Sequence, residues 1–395
     1  MNRRHFLHAS AALALAPATR ADELPRYRVA VIGHTGRGNY GHGLDTMWLK
    51  LPARTTVVAV ADADAKGLAD AKTRLEVTNG FADYRDMLAK ERPDIVSIGP
   101  RHVDQHLDMV LASVKAGAKG IYMEKPFCRT LAEADEIVET CAKSGTRLAL
   151  AHRNRYWPVL KTISGLMTDG TLGEILEFRA RGKEDARGGA EDMWVLGSHL
   201  FNLLAYFGGA PFSCSASIYQ DGKLATAADC NHTGKEGITP LLGNEIHAAF
   251  TLQSGNKAFF SSIQGKGAKD AGFGVQIIGT KGSIDMRMDA SPFAHFLPGN
   301  PTTTVKGQRE WIPISTAGIG KPDPEPEVTA TVMDHRLAAA DLFDAIEQRR
   351  DPLCSASEGR STIEMITAVF SSHIQGGGRV SLPLTSRENP LTGWQ

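Results

Sequence analysis

The chain has 395 residues, of which 42% are hydrophobic and 22% are charged. These values are typical of a soluble globular protein long enough for two domains, and they exclude a disordered or fibrous chain. Lys plus Arg and Asp plus Glu each number 44, so no overall field favours nucleic acid or an anionic membrane. We expect no nucleic-acid partner, and small molecules or further copies of the chain as partners.

The first residues follow the order of an export signal. Arg3 and Arg4 precede a short apolar stretch at 11–16, which ends in Ala16-Pro17-Ala18, a small-residue cleavage pattern. This order is typical of a twin-arginine signal peptide, and the stretch is too short to span a bilayer. A short amphipathic helix is the alternative. We predict a signal peptide over residues 1–22, export to the periplasm and no stable membrane anchor.

Strands and helices alternate in the next 125 residues. Apolar runs predict strands at 29–32, 56–61, 94–98, 120–123 and 147–151, with helices after a glycine-rich turn and at 104–116 and 131–143. This βαβ series predicts an α/β, doubly wound parallel sheet, which is a Rossmann domain over residues 27–152.

The pattern changes after residue 152. Longer alternating segments predict strands at 175–180, 245–252, 258–263 and 274–278. We therefore predict a second, α+β domain over 153–386 with a largely antiparallel open sheet, followed by a tail at 387–395. Residues 219–243 and 297–327 are rich in turn formers and predict long loops near the site or at a subunit contact.

The five cysteines are widely spaced, and no pair of them forms a Cys-x-x-Cys motif. No histidine stands at metal-ligand spacing from them, so we predict no metal site. One disulfide stays possible, and isolated buried thiols are the simpler interpretation.

The glycine-rich turn is the first candidate site. Gly33, Thr35, Gly36, Arg37 and Gly38 lie between a predicted strand and a predicted helix. Glycines there let the backbone approach a pyrophosphate, and a helix N-terminus offers free N–H donors. A standard G-x-G-x-x-G would need glycine at position 35, so a turn without a ligand is the alternative.

Asp62 follows the second predicted strand. A carboxylate at this place accepts hydrogen bonds from the adenosine ribose and repels a 2'-phosphate, which predicts NAD as the cofactor and makes NADP less favoured. The alternative is that Asp62 or Asp64 only caps the next helix.

A more specific pattern is Glu124-Lys125-Pro126 at the end of the predicted strand 120–123. Together with other stretches it resembles the Gfo/Idh/MocA family of glucose-fructose oxidoreductases and inositol dehydrogenases. The other matching stretches are Pro100 with His106, Arg155-Tyr156-Trp157-Pro158, Leu172-Gly173-Glu174-Ile175, Gly197-x-His199 and Gly279-Thr280-Lys281-Gly282-Ser283. The resemblance implies an NAD(P)-dependent oxidoreductase that acts on a sugar or polyol hydroxyl, a homodimer or homotetramer, and cofactor contacts from Pro100, His106, Glu124 and Lys125.

The catalytic candidates are Lys125 and His199. Lys125 ends a parallel strand, so it projects into the ligand crevice, where a cation favours the ionised form of the reacting hydroxyl. Pro126 extends the chain at Lys125, and the resemblance implies a cis bond between them. His199 is suited to take the hydroxyl proton, although a core histidine is its alternative.

This chain departs from the family pattern Asp-x-Gly-x-His-x-x-Asp, because Val195 and Asn202 replace its two carboxylates. Asp192, one helical turn before 195, is the candidate replacement. Arg155, Tyr156, Trp194 and Asn202 join Lys125 and His199 as candidate substrate contacts, and Trp194 is equally consistent with a core position.

Two other functions use the same residues. The first is a redox-neutral glycoside hydrolase or lyase that oxidises a ring carbon transiently on a retained NAD. The second is a non-catalytic protein that keeps the fold and binds dinucleotide only structurally.

Overall fold

The computed structural model describes residues 25–267, 273–288, 290–304, 307–325 and 327–395. The predicted signal peptide lies outside these residues. Within them, no helix combines the length and apolar character needed to cross a membrane.

The N-terminal domain is built on a parallel sheet. Its strands are β1 (Tyr27–Ile32), β2 (Thr55–Ala61), β3 (Gly80–Phe81), β4 (Ile95–Ile98), β5 (Gly120–Met123) and β6 (Arg147–Leu150). Its helices are α1 (Ala65–Leu75), α2 (Tyr84–Glu91), α3 (His106–Lys115) and α4 (Leu131–Ser144). The strand order β3-β2-β1-β4-β5-β6 is that of a doubly wound sheet. The central strands β4 and β5 are buried along their whole length, as expected when helices cover both faces. The predicted Rossmann fold is confirmed.

The predicted helix after the glycine-rich turn is wrong. The chain from 33 to 45 makes successive turns, and only Thr46–Lys50 forms a short 3-10 helix. Gly36, Gly38, Gly41 and Gly43 all have positive φ angles, between 62° and 92°. Residues in this left-handed region interrupt the hydrogen bonds of a right-handed helix, so the segment stays a compact loop.

The second domain contains a mixed, mostly antiparallel sheet. Its strands are β7 (Ile175–Arg181), β8 (Pro211–Gln220), β9 (Lys223–Leu224), β12 (Glu245–Leu252), β13 (Lys257–Ile263), β14 (Gly274–Gly279), β15 (Gly282–Arg287), β16 (Ala294–Pro298), β17 (Ile312–Ser315), β18 (Gly318–Ile319) and β19 (Val380–Ser381). A separate hairpin pairs β10 (Cys230–Asn231) with β11 (Leu241–Leu242). The sheet order is β18-β17-β16-β15-β14-β7-β13-β12-β8-β19, with β9 beside β8. In the part of the chain that the structure describes, β7 and β13 run parallel and the other pairs are antiparallel.

Helices of the second half follow the same chain order. They are α5 (Val159–Thr168), α6 (Ala190–Asp192), α7 (Ser198–Gly208), α8 (Val328–Met333), α9 (Arg336–Gln348) and α10 (Ala356–Ile374). A five-residue π-helix, Met193–Gly197, joins α6 to α7. Because a π-helix has more residues per turn than an α-helix, the residues of α6 lie on a different face, relative to α7, than in a continuous α-helix.

Two of these helices pack against the first domain although they lie within the predicted second one. α9 packs on β5 and β6, and α10 packs on α4 as well as on α7 and β8. The ring of Tyr27 in β1 stacks on Phe343 of α9, with ring centroids 5.2 Å apart, and its hydroxyl donates to Glu347 at 2.9 Å. The C-terminal part of the chain therefore completes the core of the Rossmann domain.

All five cysteines fall among the described residues, none is bonded to another, and Cys128, Cys141, Cys214 and Cys354 are buried. Over the same residues, no group of three or more His, Cys, Asp or Glu side chains is arranged to hold a metal ion.

Candidate active site

A cavity of about 270 Å³ opens where β5 ends. We call it the Lys125 cavity. The described residues that line it are His42, Arg101, Glu124, Lys125, Ala151, Arg153, Lys183, Arg187, Val195, Leu196, His199, Glu236, Phe273 and His335. Both domains contribute to it, so Lys125 and His199, which are 74 positions apart in the sequence, face the same space.

Lys125 is held at the floor of this cavity. It is 4% exposed, and its ammonium donates to the carbonyl oxygen of Val195 at 3.2 Å. Burial lowers the pKa of Lys125, while the carboxylate of Glu124 acts in the opposite direction. The bond to Pro126 is cis, as the resemblance implies. Val195 stands where the family pattern has a carboxylate. Its backbone carbonyl accepts the hydrogen bond from the Lys125 ammonium.

Glu124 positions Lys125. Its Oε2 accepts from the backbone N–H of Lys125 at 2.7 Å, and its Oε1 accepts from the backbone N–H of His42 at 3.0 Å and pairs with the His42 ring. Burial opposes ionisation, but the hydrogen bond with His42 and the charge of Lys125 outweigh it and bring the pKa of Glu124 to about 2. Gly41 is required beside it, because a Cβ at that position would lie 2.4 Å from Glu124 Cγ.

His199 lies at the start of α7 and is 6% exposed, and its Nδ1 has no hydrogen-bond partner in the part of the chain that the structure describes. The ring of His152 is 5.0 Å away, centroid to centroid, and both of its nitrogens lack partners among the described residues. Burial lowers the pKa of His152 to about 3 and that of His199 well below its ordinary value, and Lys125 adds to both effects. Both rings are therefore neutral at neutral pH.

His152 was not among the residues predicted from the sequence. It comes two residues after β6, the strand next to β5, so its place at the same edge of the sheet was the pattern that could have revealed it. His335 was also missed. Its φ angle is +65°, and its Nδ1 is 2.6 Å from the hydroxyl of Tyr122. Its Nε2 has no partner in the described residues, and the residue lines the cavity.

Asp192 is not brought to this cavity. Its Oδ2 accepts from Ser262 Oγ at 2.6 Å and from the backbone N–H of Glu184 at 3.0 Å, so the carboxylate points toward β13. The prediction assumed a regular α-helix from Asp192 to His199. The π-helix adds residues per turn, and each extra residue rotates the preceding segment by about 100°. Asp192 therefore lies on another face.

The other predicted substrate contacts also lie outside the cavity lining. The guanidinium of Arg155 stacks on the ring of Tyr206 at 3.7 Å, and Asn202 Nδ2 donates to Glu358 at 2.9 Å. Tyr156 and Trp194 are 5% and 2% exposed and belong to the hydrophobic core. Of the substrate set predicted from the sequence, the structure brings Lys125 and His199 together. It buries Tyr156, Trp194 and Asn202 and leaves Arg155 half-buried, all outside the lining of this cavity.

A second cavity, of about 410 Å³, lies beside the glycine-rich turn. We call it the turn cavity. Gly33, Arg37 and Asp62 contribute to its walls. Two further lining residues, Gln105 and Asp104, have the buried side-chain atoms Nε2 and Oδ1 without partners in the described residues. Gly36 has a φ of +82° and open space where a Cβ would stand. A cavity of this size with one unpartnered donor and one unpartnered acceptor among the described residues suits the polar backbone of a dinucleotide.

Asp62 lies at the end of this cavity but is 2% exposed. Its carboxylate accepts from Thr35 N–H at 3.0 Å, Thr35 Oγ1 at 2.7 Å and the Tyr40 hydroxyl at 2.7 Å. Asp64, in contrast, caps α1 through Gly67 N–H at 2.6 Å. Asp62 thus fixes the turn, and its predicted bond to the ribose requires at least one of these protein donors to be exchanged. The preference for NAD over NADP stays a prediction.

Pro100 and His106 were predicted to contact the cofactor, but the structure places them behind the two cavities. His106 is fully buried, with Nε2 2.7 Å from the Pro100 carbonyl and Nδ1 3.1 Å from the Phe127 carbonyl. Neither residue lines the Lys125 cavity or the turn cavity. The two hydrogen bonds of the His106 ring connect the loop after β4 with the loop after β5. His106 and Pro100 therefore help to position Lys125 without lining either cavity.

Comparisons with known proteins identify the family. The family model "Oxidoreductase family, NAD-binding Rossmann fold" matches residues 27–152, and "Oxidoreductase family, C-terminal alpha/beta domain" matches residues 168–382. The chain belongs to the Gfo/Idh/MocA family of oxidoreductases. The resemblance seen in the sequence is confirmed, and so is an NAD-binding oxidoreductase.

Relatives in this family include dehydrogenases. D-apiose dehydrogenase of Paraburkholderia graminis is 30% identical over 339 residues, which are 81% of each chain. Trans-1,2-dihydrobenzene-1,2-diol dehydrogenase of Mus musculus is 24% identical and covers 59% of this chain and 72% of its own. The solved structure of levoglucosan dehydrogenase with NADH and levoglucosan has a TM-score of 0.73 at 17% identity, covering 91% of this chain and all of that one.

Proposed function

We propose that this family member oxidises a hydroxyl group of a sugar or polyol, with Lys125 and His199 as its catalytic residues. The observation that carries the proposal is that a buried ammonium and a buried imidazole, whose Nδ1 has no partner in the described residues, come from different domains and line one small cavity. The similarity to a D-apiose dehydrogenase over most of the chain supports a sugar as the substrate.

The turn 33–38 and the end of β2 would hold NAD, which would supply the acceptor for the hydride of the carbinol carbon. The protein residues handle the other half of the reaction, the loss of the hydroxyl proton. Lys125 stabilises negative charge as it develops on the oxygen. The imidazole of His199 takes the proton, and the electron pair of the O–H bond forms the second bond between carbon and oxygen as the hydride departs.

Burial of Lys125 and His199 strengthens their interactions with the reacting hydroxyl group. Lys125 and His199 are 4% and 6% exposed, so little water competes with the substrate for either group. Charges interact more strongly where the local dielectric constant is low. His152, whose two ring nitrogens have no partner in the described residues, lies next to His199 and adds to the shielding of its ring from water.

Substitution of the two residues tests the proposal. Lys125→Ala and His199→Ala should each reduce kcat by at least ~100-fold, because each removes a group that acts only as charge and proton move. NADH binding, measured by fluorescence titration, should change little. Asp192→Asn is the control, since Asp192 lies outside the cavity, and its kcat should stay within ~3-fold of the wild type. A His199→Ala variant with near-normal turnover would show that another group is the base.

Two proposals concern other parts of the chain. We propose that residues 1–22 direct export to the periplasm, and changing both Arg3 and Arg4 to Lys should leave the protein inside the cell.

We also propose a homodimer or homotetramer that pairs through the outward face of β7 and β13, where Phe259 is 40% exposed. Light scattering of a Phe259→Glu variant should then give a lower mass than the wild type.

A further inference from the structure

The loop that follows β4 lies between the Lys125 cavity and the turn cavity. At one end of this loop Arg101 lines the Lys125 cavity, and at the other end Asp104 and Gln105 line the turn cavity. A dinucleotide whose adenosine lies in the turn cavity and whose nicotinamide lies in the Lys125 cavity must therefore pass this loop. Whatever covers the loop also controls how the cofactor enters and leaves.

A segment of the second domain packs on this loop. It is the three-residue turn Lys235–Gly237, which lies between β10 and β11 and which we call the strap. Glu236 Oε1 pairs with Arg101 Nε at 3.5 Å. A Cβ on Gly237 would lie 2.7 Å from Asp104 Oδ1, so these two residues are in close contact. The strap thus contacts the loop at both of its ends and lies over the stretch that joins the two cavities.

The loop after β4 also contacts the glycine-rich turn, which would hold the pyrophosphate. Arg37 of that turn pairs with Asp104, and His34 Nδ1 lies 2.5 Å from Gln105 Oε1. The glycine-rich turn, the loop after β4 and the strap are therefore connected in series. The strap is the member of this series that belongs to the second domain, so cofactor binding in the first domain and the position of the strap involve the same loop.

The strap can leave this position without breaking either of the two large sheets, because the β10–β11 hairpin forms a two-stranded sheet of its own. The contact is also costly to keep. The φ angle of Glu236 is +57°, and a residue with a side chain is strained in this left-handed region. Glu236 Oε2 and Arg101 Nε are buried without a hydrogen-bond partner in the described residues. Backbone strain and unpaired polar atoms both destabilise the closed position and favour opening.

We propose that the strap is a gate for the cofactor, which moves off the loop after β4 whenever NAD enters or leaves, and that its contacts with Arg101 and Asp104 limit both rates. These contacts join protein groups only, so we expect them with and without the cofactor. A contact that is equally strong in the free and the bound protein slows binding and release alike and leaves the equilibrium between them unchanged. The inference goes beyond the proposed oxidation, because it concerns the cofactor alone.

Alanine at Gly237 should open the gate, because its Cβ would clash with Asp104 Oδ1 and push the strap away. Stopped-flow fluorescence of NADH mixed with the protein gives the association rate constant, and displacement of bound NADH by excess NAD gives the dissociation rate constant. We expect Gly237→Ala to raise both constants by at least ~5-fold and to leave Kd within ~3-fold of the wild type. Gly222→Ala is the matched control, since Gly222 has a similar φ of +77° but nothing within 4 Å of its Cβ. It should change neither constant by more than ~2-fold.

Glu236→Gln removes only the charge of the strap and keeps its shape. Both rate constants should rise by about 2–5-fold, the value of a partly exposed ion pair, and high salt should abolish the difference from the wild type. Glu245→Gln is the control, because Glu245 pairs with His247 and lines neither cavity.

Two results would overturn the gate. Faster release of NADH with unchanged association would mean that the strap holds the cofactor in place instead of gating its passage. Rate constants equal to those of the wild type in both Gly237→Ala and Glu236→Gln would mean that the strap does not limit exchange. These measurements need no turnover, so failure of the gate leaves the proposed oxidation standing, and failure of the oxidation leaves the gate standing.

Discussion

Three buried histidines, His152, His199 and His335, lie in or beside the Lys125 cavity. Burial is the main cause that lowers their pKa values, to about 3 for His152 and about 4 for His335. In the unfolded chain each imidazole regains its ordinary pKa near 6.5. Between these values the unfolded chain binds more protons than the folded one, so folding stability is complete above pH ~6.5 and decreases as the pH falls.

The stability of the protein should therefore depend on His152 in acid. His152→Gln should reduce the slope of unfolding free energy against pH, between pH 6 and 4, by about 1.4 kcal/mol per pH unit, the value for one proton. Urea unfolding at several pH values measures this slope. His247→Gln is the control, because the side chain of His247 is 47% exposed and stays solvated in both states. Equal slopes for the wild type and His152→Gln would contradict the prediction.

The lowered pKa of His199 has a consequence for catalysis. A base with a lowered pKa stays unprotonated as the pH falls, so His199 should remain competent below pH 6.5. If His199 is the base, the acid limb of kcat for oxidation lies below the ordinary pKa of histidine. A pH profile of kcat measures this, and an acid limb centred at or above pH 6.5 would point to a more exposed base.

At the scale of elements, the turn after β1 depends on individual glycines for different reasons. Gly36 and Gly38 both have positive φ angles, but a Cβ on Gly36 meets open space. A Cβ on Gly38 would lie 2.2 Å from the backbone nitrogen of Arg101. The first glycine is needed only for its backbone angles, while the second also allows the loop after β4 to approach.

Alanine substitutions should separate these two reasons. Gly36→Ala should lower the unfolding free energy by about 1–2 kcal/mol, the cost of a left-handed alanine. Gly38→Ala should lower it by about 2–5 kcal/mol, because overpacking adds about 1–3 kcal/mol to the same cost. Urea denaturation of both variants provides the comparison. Equal losses would mean that the loop of Arg101 moves away without cost.

The elements that the sequence predicted correctly are those with a simple period. β12 has the predicted bounds, Glu245–Leu252, because alternating apolar residues reflect one buried face. Two local irregularities could not be predicted in this way. Successive positive-φ glycines replaced the helix after β1, and the π-helix moved Asp192 off the face of His199. Neither changes the apolar pattern that the prediction used.

The candidate site was predicted in part for a similar reason. Lys125 is the second residue after β5, so topology alone places it at the ligand edge. Val195, Glu236 and His335 come from distant segments, and their contribution depends on how the second domain packs against β5. Such contacts carry no local pattern in a single sequence.

At the scale of the whole molecule, the two domains share their cores. A Cβ on Gly120 of β5 would lie 2.7 Å from Ile346 of α9, and Trp48 contacts both Tyr122 and Phe343. The first domain thus lacks one layer of its packing when α9 is removed. A layer of buried apolar residues usually contributes more than the few kcal/mol by which a domain is stable.

A fragment of residues 25–152 should therefore not fold cooperatively by itself. Circular dichroism should show no sharp thermal transition, whereas the chain of residues 25–395 should unfold in a cooperative transition. Adding a synthetic peptide of residues 328–375, which contains α9 and α10, should restore some structure to the fragment. A cooperative transition of the fragment alone would show that the shared core is dispensable.

Because α9 lies near the end of the chain, the Rossmann domain cannot complete its core until late in translation. At about 5–20 residues per second, a ribosome needs about 10–40 s to add the roughly 200 residues between β6 and the end of α9. During that interval the nascent Rossmann sheet has its strands but not its last covering helix. Proteases added to stalled ribosomes should cleave the N-terminal half until residue 348 has emerged, and protection at an earlier length would argue against this order. The apolar surface that α9 later covers is therefore exposed during this interval, and this is when the chain needs chaperones that shield such surface.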